Sequence, residues 1–215
     1  MAQKGMSVLQ FQDWGLISYE EALKKQLSLV EKVSKDNLPG YLIFCTHPPV
    51  VTLGRSTKPG DVFAWKGQQV EVTRGGRATY HGPSQLVIYP IVNLNQMRKG
   101  RKERDIVPFL RVFEEGLVDV LKSYGLENVE GRSLTDDTGV WIGSRKVASV
   151  GVGIRQWVSF HGAAINMTHD AQAFQGLNPC GFPPETMISL EEVLKRPVNL
   201  EDFKEKLKLK LLDIL

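Results

Sequence analysis

The chain has 215 residues, 42% of them hydrophobic, with a net charge of +3 and two cysteines, which fits one domain with its own core and no need of disulfide staples. So mild a charge argues against the dense basic face of a nucleic-acid binder. Cys45 and Cys180, far apart and without Cys-x-x-Cys spacing, argue against a structural zinc site and for a reducing compartment.

No apolar run approaches the roughly 20 residues that span a bilayer, and Met1 to Phe11 lacks the apolar stretch of a signal peptide. The expectation is a soluble, cytoplasmic protein with no membrane partner. Ser18 and Glu21 form a capping-box signal, and Leu23, Leu27, Val30 and Val33 follow at helical spacing up to the Asn37-Leu38-Pro39-Gly40 stop. Tyr41 to Cys45 and Val50 to Leu53 read as strands flanking His47-Pro48-Pro49, where the prolines forbid helix and leave the histidine in a loop. Gln69 to Thr73 alternates polar and β-branched residues, and Leu86 to Val92 is a run of strand formers. The stretch between them is expected to connect two buried strands.

Asp105 is expected to cap a second helix whose Ile106, Phe109, Leu110, Phe113, Leu117, Val120, Leu121 and Tyr124 form one apolar core stripe ending at Gly125. Thr138 to Ile142 and Lys146 to Ile154 read as a hairpin around Gly143-Ser144-Arg145, followed by a strand near His161 to Met167. Two short helices start at Ser189 with Glu192 and at Asn199 with Asp202. With no repeat or linker, residues 1–215 are expected to form a single α+β domain, a mixed sheet packed by helices.

Four segments carry polar chemistry that a core does not require. In Arg74-Gly75-Gly76-Arg77-Ala78-Thr79-Tyr80-His81-Gly82 the glycines let backbone N–H groups approach a ligand, while Arg74, Thr79 and His81 add directional donors. A tight hairpin with ordinary turn glycines is the plain alternative. In Lys146-Val147-Ala148-Ser149-Val150-Gly151, strict alternation places Lys146, Ala148 and Val150 on one face and Val147, Ser149 and Gly151 on the other, both thin enough for a ligand to approach. His161 beside Gly162-Ala163-Ala164 reads by itself as a structural histidine. Cys180, between Pro179 and Gly181, stands on a rigid turn from which a thiolate can project, whereas Cys45 inside Tyr-Leu-Ile-Phe-Cys is the buried kind. The cation or base such a nucleophile needs is available from Lys146, His81 or His161.

Taken in order, Thr46-His47-Pro48-Pro49-Val50, Arg74 to His81, Arg145-Lys146-Val147-Ala148-Ser149-Val150-Gly151, His161-Gly162-Ala163-Ala164-Ile165-Asn166 and Asn178-Pro179-Cys180-Gly181 resemble the octanoyltransferases of lipoate biosynthesis. The one small departure is Ala163-Ala164-Ile165, where Leu-Ala-Leu is more usual. The resemblance implies a fold similar to the catalytic domain of biotin and lipoate protein ligases. It implies Cys180 as acyl-thioester nucleophile and Lys146 as the residue that lowers its pKa. Arg74, Gly75, Gly76, Arg77, Ala78, Thr79, Tyr80 and His81 would line the acyl site with Ser149, Val150, Gly151, Gly162, Ala163 and Ala164, and His161 and His47 would be accessory. The donor implied is octanoyl-acyl carrier protein, and the acceptors are lipoyl domains of 2-oxoacid dehydrogenase complexes or the glycine cleavage H protein. No cofactor, metal or nucleic acid is called for.

The alternative is an ATP-dependent lipoate or biotin protein ligase that works through an acyl-adenylate. Such an enzyme shares the glycine-rich loop and the lysine but has no use for a loop cysteine. A third reading, a basic adaptor using Arg98, Lys99, Arg101, Lys102 and Arg104, lacks the aromatic platform that nucleic-acid binding would add.

Overall fold

The computed structural model describes residues 9–96, 98, 101–133 and 137–215. Its large sheet begins at β1 (Gln10–Leu16), which lies parallel to β2 (Gly40–Thr46). Beyond β2, each strand antiparallel to the last, come β6 (Gln85–Val92), β10 (Val158–Asn166), β9 (Arg145–Arg155), β8 (Gly139–Ile142) and β7 (Val129–Arg132). A small second sheet places β3 (Val50–Leu53) between β4 (Gln68–Glu71), to which it is parallel, and β5 (Thr79–His81), to which it is antiparallel.

Helices cover both faces of the large sheet. Along β6, Leu86 and Ile88 pack toward α2 (Ile106–Lys122) and α4 (Leu200–Ile214), while Val87, Tyr89 and Ile91 pack toward α1 (Tyr19–Lys35). With neither face wetted, β6 reads as a continuous apolar run rather than an alternation. The result is the expected α+β architecture, a mixed sheet packed by helices.

Ser18 caps α1 by accepting the Glu21 N–H at 3.3 Å, and Ser189 closes a full capping box on α3 (Leu190–Leu194). Several local readings need correction. Asp105 stands at the N-cap of α2, but its side chain makes no capping hydrogen bond among the described residues. Helix α4, expected to be short, runs for 15 residues because Phe203, Leu207 and Leu211 seat it on α2. The strand expected near His161 starts earlier, at Val158, because Gln156 and Trp157 take positive φ (54° and 59°) and close a tight turn from β9. The stretch after β4 is no plain connection between buried strands: β4 is largely exposed, and residues 79–81 form a strand of their own. Among the described residues no helix is long and apolar enough to cross a membrane.

Candidate active site

Cys180 sits in a single 3-10 turn, Pro179–Gly181, with φ 56° and ψ 18°. This left-handed conformation costs a non-glycine residue roughly 1–2 kcal/mol, so something must impose it. Two backbone bonds do: Cys180 N–H donates to the Ala78 carbonyl at 2.7 Å, and Gly181 N–H donates to Asn178 at 2.9 Å. The thiol is partly exposed, and its Sγ lies 3.6 Å from Ser149 Oγ. Cys45, in contrast, is buried in β2, and desolvation followed by the Asp13 carboxylate pushes its thiol far up. It is unsuited to act as a thiolate.

Strand β9 departs from strict alternation in a way that reshapes the site. Lys146 pairs with Trp141 and Ala148 with Val140, so Val147 is an extra residue bulged out of the β8 ladder. The bulge reverses the faces. Lys146 therefore shares its face with Ser149, not with Ala148 as unbroken alternation would have it, and so comes to the side that Cys180 approaches. The lysine is fully buried, with Nζ 5.4 Å from the Trp141 ring centroid and 5.7 Å from that of Phe182, two residues after the cysteine. Nζ has no hydrogen-bond partner among the described residues.

The loop that leads into β5 packs against the same strand. Gly75 N–H donates to the Val152 carbonyl of β9 at 3.1 Å. Gly151 makes this approach possible, since a Cβ there would lie 2.9 Å from the Gly75 oxygen and 3.3 Å from Arg74 Cδ. Arg74 is buried, and its hydrogen bonds go to neutral oxygens: Thr52 Oγ1 at 2.8 Å, the Thr52 carbonyl at 3.1 Å and the Gly75 carbonyl at 2.9 Å. Burial pushes its guanidinium pKa down, and the Tyr19, Cys180 and Tyr89 side chains pull it back up. A buried cation held only by neutral groups is prepared to meet a negative charge. Arg77 instead forms an ion pair with Asp61 and packs over the cysteine turn.

Between these elements lies a cavity of about 350 Å³, within the range of small-molecule sites. Arg74, Gly75, Gly76, Arg77, Thr79 and His81 line it from the loop and β5, and Ser149, Val150 and Gly151 from β9. His161, Gly162, Ala163 and Ala164 line it from β10, and Cys180 from its turn. Ala78 and Tyr80 lie outside the lining: both are buried in a cluster with Val51 and Leu177, and Tyr80 donates to Asp170 at 3.2 Å. His47 also lies outside it, with Nδ1 2.7 Å from the Ile17 carbonyl and Nε2 2.7 Å from the Tyr89 hydroxyl.

Sequence reasoning did not single out Tyr19, Tyr89, Thr138 and Leu110, which also line the cavity. Tyr89 left a signal, a lone hydroxyl in a strand that is otherwise apolar after Gln85. Leu110, read as part of a pure core stripe, gave none.

The histidines around the cavity are kept neutral. Burial, reinforced by Arg74, pushes His161 down to about 3; its Nδ1 lies 3.2 Å from the Tyr19 hydroxyl, and its N–H donates to Gln26 Oε1 at 2.7 Å. Burial, then the neighbouring His47 and the Arg74 cation, drives His81 well below the usual range, and burial lowers His47. Neutral imidazoles line or flank the cavity, and Arg74 is the buried cation in its wall; Lys146 itself lies outside the lining.

Residues 18–212 match the family model of the lipoyl protein ligase A/B catalytic domain. The octanoyltransferase of Bdellovibrio bacteriovorus is 64% identical over 219 residues, covering 98% of this chain and 100% of that protein. Among solved structures, lipoate-protein ligase A bound with ATP aligns with a TM-score of 0.67 at 16% identity, over 96% of this chain and 84% of the other. A biotin protein ligase from Aquifex aeolicus aligns with a TM-score of 0.51 at 10% identity, over 95% and 67%. Likeness at these low identities concerns the fold alone.

Proposed function

Because this chain belongs to the octanoyltransferase family and is an acyltransferase, we propose that it moves octanoyl from octanoyl-acyl carrier protein to a lysine of lipoyl domains. In this reading residues 1–215 work as one cytoplasmic catalytic domain, and Cys180 carries the acyl group as a thioester. The observation that supports it most is the partly exposed Cys180 on a left-handed turn, lining the cavity beside Ser149 and within electrostatic reach of the buried Arg74. A ligase that works through an adenylate has no need of such a residue.

In this reading the chemistry is a two-step acyl transfer. Cys180 Sγ, as thiolate, attacks the carbonyl carbon of the octanoyl thioester, and the C=O electron pair moves onto oxygen. When the oxyanion collapses, the old C–S bond breaks and the pantetheine sulfur leaves, taking a proton from the Lys146 ammonium. One thioester replaces another, so no ATP is consumed. The neutral amine of the acceptor lysine then attacks the Cys180 thioester, an amide forms, and Cys180 Sγ departs as thiolate. The proton released from the attacking nitrogen returns to Lys146. His161, held down to about 3, is a poor acceptor near neutral pH, which favours Lys146 for this role.

Both steps pass through an oxyanion that needs preorganised donors. The N–H groups of Cys180, Gly181 and Phe182 already donate to Ala78, Asn178 and Pro179. The backbone of the Gly76 to Arg77 loop and the Arg74 guanidinium are the better candidates.

The test is labelling of an apo lipoyl domain. Octanoyl-acyl carrier protein without nucleotide is expected to octanoylate it, with a Cys180 adduct visible by intact mass. Labelling that instead requires free octanoate and ATP would replace this reading with the adenylate-forming one.

A further inference from the structure

The stripe by which α2 faces the sheet contains a carboxylate that packing alone does not explain. Glu114 follows Phe113 and is only 2% exposed. A charge so placed is costly unless it is partnered. Its Oε2 accepts from Ser133 Oγ and the Gly139 backbone N–H also supports the carboxylate, while Oε1, like Lys146 Nζ, has no hydrogen-bond partner among the described residues. On β8, Gly139 is in turn covered by Lys146: a Cβ at Gly139 would lie 2.6 Å from Lys146 Cε and 3.3 Å from Nζ. A single glycine thus separates a buried carboxylate from a buried ammonium, and its missing side chain is the space that the lysine occupies.

We infer that Glu114 is a positioning residue for acyl transfer, acting through Lys146 as the buried counter-charge, across Gly139, that holds the lysine in place beside the Cys180 turn. The inference rests on the role proposed above for Lys146. Other charges face the pair from each neighbouring element. Arg111 acts on Glu114 from α2 itself, and Arg132 stacks on Trp141 from β7 at 4.4 Å. Asp137 lies 4.0 Å from Arg132 before β8, and Cys180 sits on the opposite turn. Burial raises the Glu114 carboxyl, and Ser133, Lys146, Gly139 and Arg111 in that order pull it back. The folded chain therefore holds this proton longer than the unfolded chain, so ionisation costs stability as pH rises. Replacing Glu114 by Gln is thus compatible with folding.

The test is the pH profile of the first half-reaction, transfer of octanoyl from octanoyl-acyl carrier protein to the enzyme, followed by intact mass. Glu114→Gln is expected to move the basic limb of that profile down by about one pH unit, with KM for the donor unchanged. Ser133→Ala, which leaves the carboxylate in place but weakens its support, should move it the same way by less, and Glu114→Asp should restore part of the shift. An unmoved limb in a folded Glu114→Gln variant overturns the inference, and so does an unmoved limb in Ser133→Ala if Glu114→Gln fails to fold. Lys146→Met separates the two levels: if it leaves the profile untouched, the role of Lys146 itself fails. If Lys146→Met changes the profile and Glu114→Gln does not, only the role of Glu114 fails.

Discussion

Ser149 Oγ and Cys180 Sγ meet at 3.6 Å although they are 31 residues apart and belong to different elements, one a strand and the other a 3-10 turn. Ser149 lies opposite Ala164 of β10 and lines the cavity, and the bulge at Val147 brings Lys146 to that same side of β9. A nucleophile on a turn is thereby set against an interior strand, held by β10 on one side and β8 on the other.

Cys180→Ser should abolish the covalent octanoyl adduct, whereas Cys45→Ser should keep it, since Cys45 is buried and its thiol is pushed far up. Intact mass after incubation with octanoyl-acyl carrier protein decides the matter. An adduct that survives in Cys180→Ser removes the nucleophile assignment.

Gly151→Ala tests the approach of the loop to β9. Its new methyl would stand 2.9 Å from the Gly75 oxygen, displacing the loop by a fraction of an ångström while leaving the core alone. Misplacement of this order is expected to lower the single-turnover acylation rate by about 10- to 100-fold, with a thermal midpoint within a few degrees of the parent. Unchanged turnover would show that the loop does not orient the acyl group.

Acid sensitivity follows from His161, whose folded-state pKa of about 3 lies below the ordinary value of 6.5. Between those values the unfolded chain binds the extra proton and the folded chain does not, so stability is full above pH 6.5 and falls as pH drops toward 3. Melting temperatures across that window should decline, and His161→Asn should flatten the decline. Asn is the apt replacement because His161 has φ 57°, and asparagine tolerates that region. An equally steep decline in the variant would assign the acid sensitivity to other groups.

The basic loop carries two different kinds of cation. Arg98 Nη1 and Arg101 Nη2 donate to the Leu215 backbone oxygen at 3.1 and 2.9 Å, tying the loop to the end of α4. Lys102 is exposed, and Lys99 lies outside the described residues. If the loop steers an acidic carrier protein, Lys102→Ser should lower kcat/KM for octanoyl-acyl carrier protein in a salt-sensitive way and leave a small octanoyl thioester unaffected. Arg101→Ser should instead lower the thermal midpoint and affect both donors alike. A Lys102→Ser variant that treats the two donors equally would make this a purely structural loop.

Much of this arrangement was legible in the residues because the signals were local. Ser18 before α1, Ser189 before α3 and the Gly143-Ser144-Arg145 turn announce themselves through hydrogen-bonding side chains and a glycine. What escaped was non-local. Strand β1, Gln-Phe-Gln-Asp-Trp-Gly-Leu, is mostly exposed and has too weak an alternation to stand out; it is fixed by pairing with β2. The Val147 bulge is invisible in a run of small residues, because only the partner strand determines which residue is extra. Tyr19, the first residue of α1, reaches the cavity because the helix docks across β10. The order of residues along a helix does not carry that information.

The bond from Cys180 N–H to the Ala78 carbonyl has a kinetic corollary. It fastens the nucleophile's backbone to the segment that supplies Arg74 to Arg77 to the cavity, so the attacking atom and the wall around the acyl chain travel as one body. Acceptance of the acyl group and its onward delivery are then governed by the same mechanical part. A perturbation of that segment should slow the two half-reactions by similar factors, leaving the fraction of enzyme held as thioester in the steady state nearly constant while the overall flux falls.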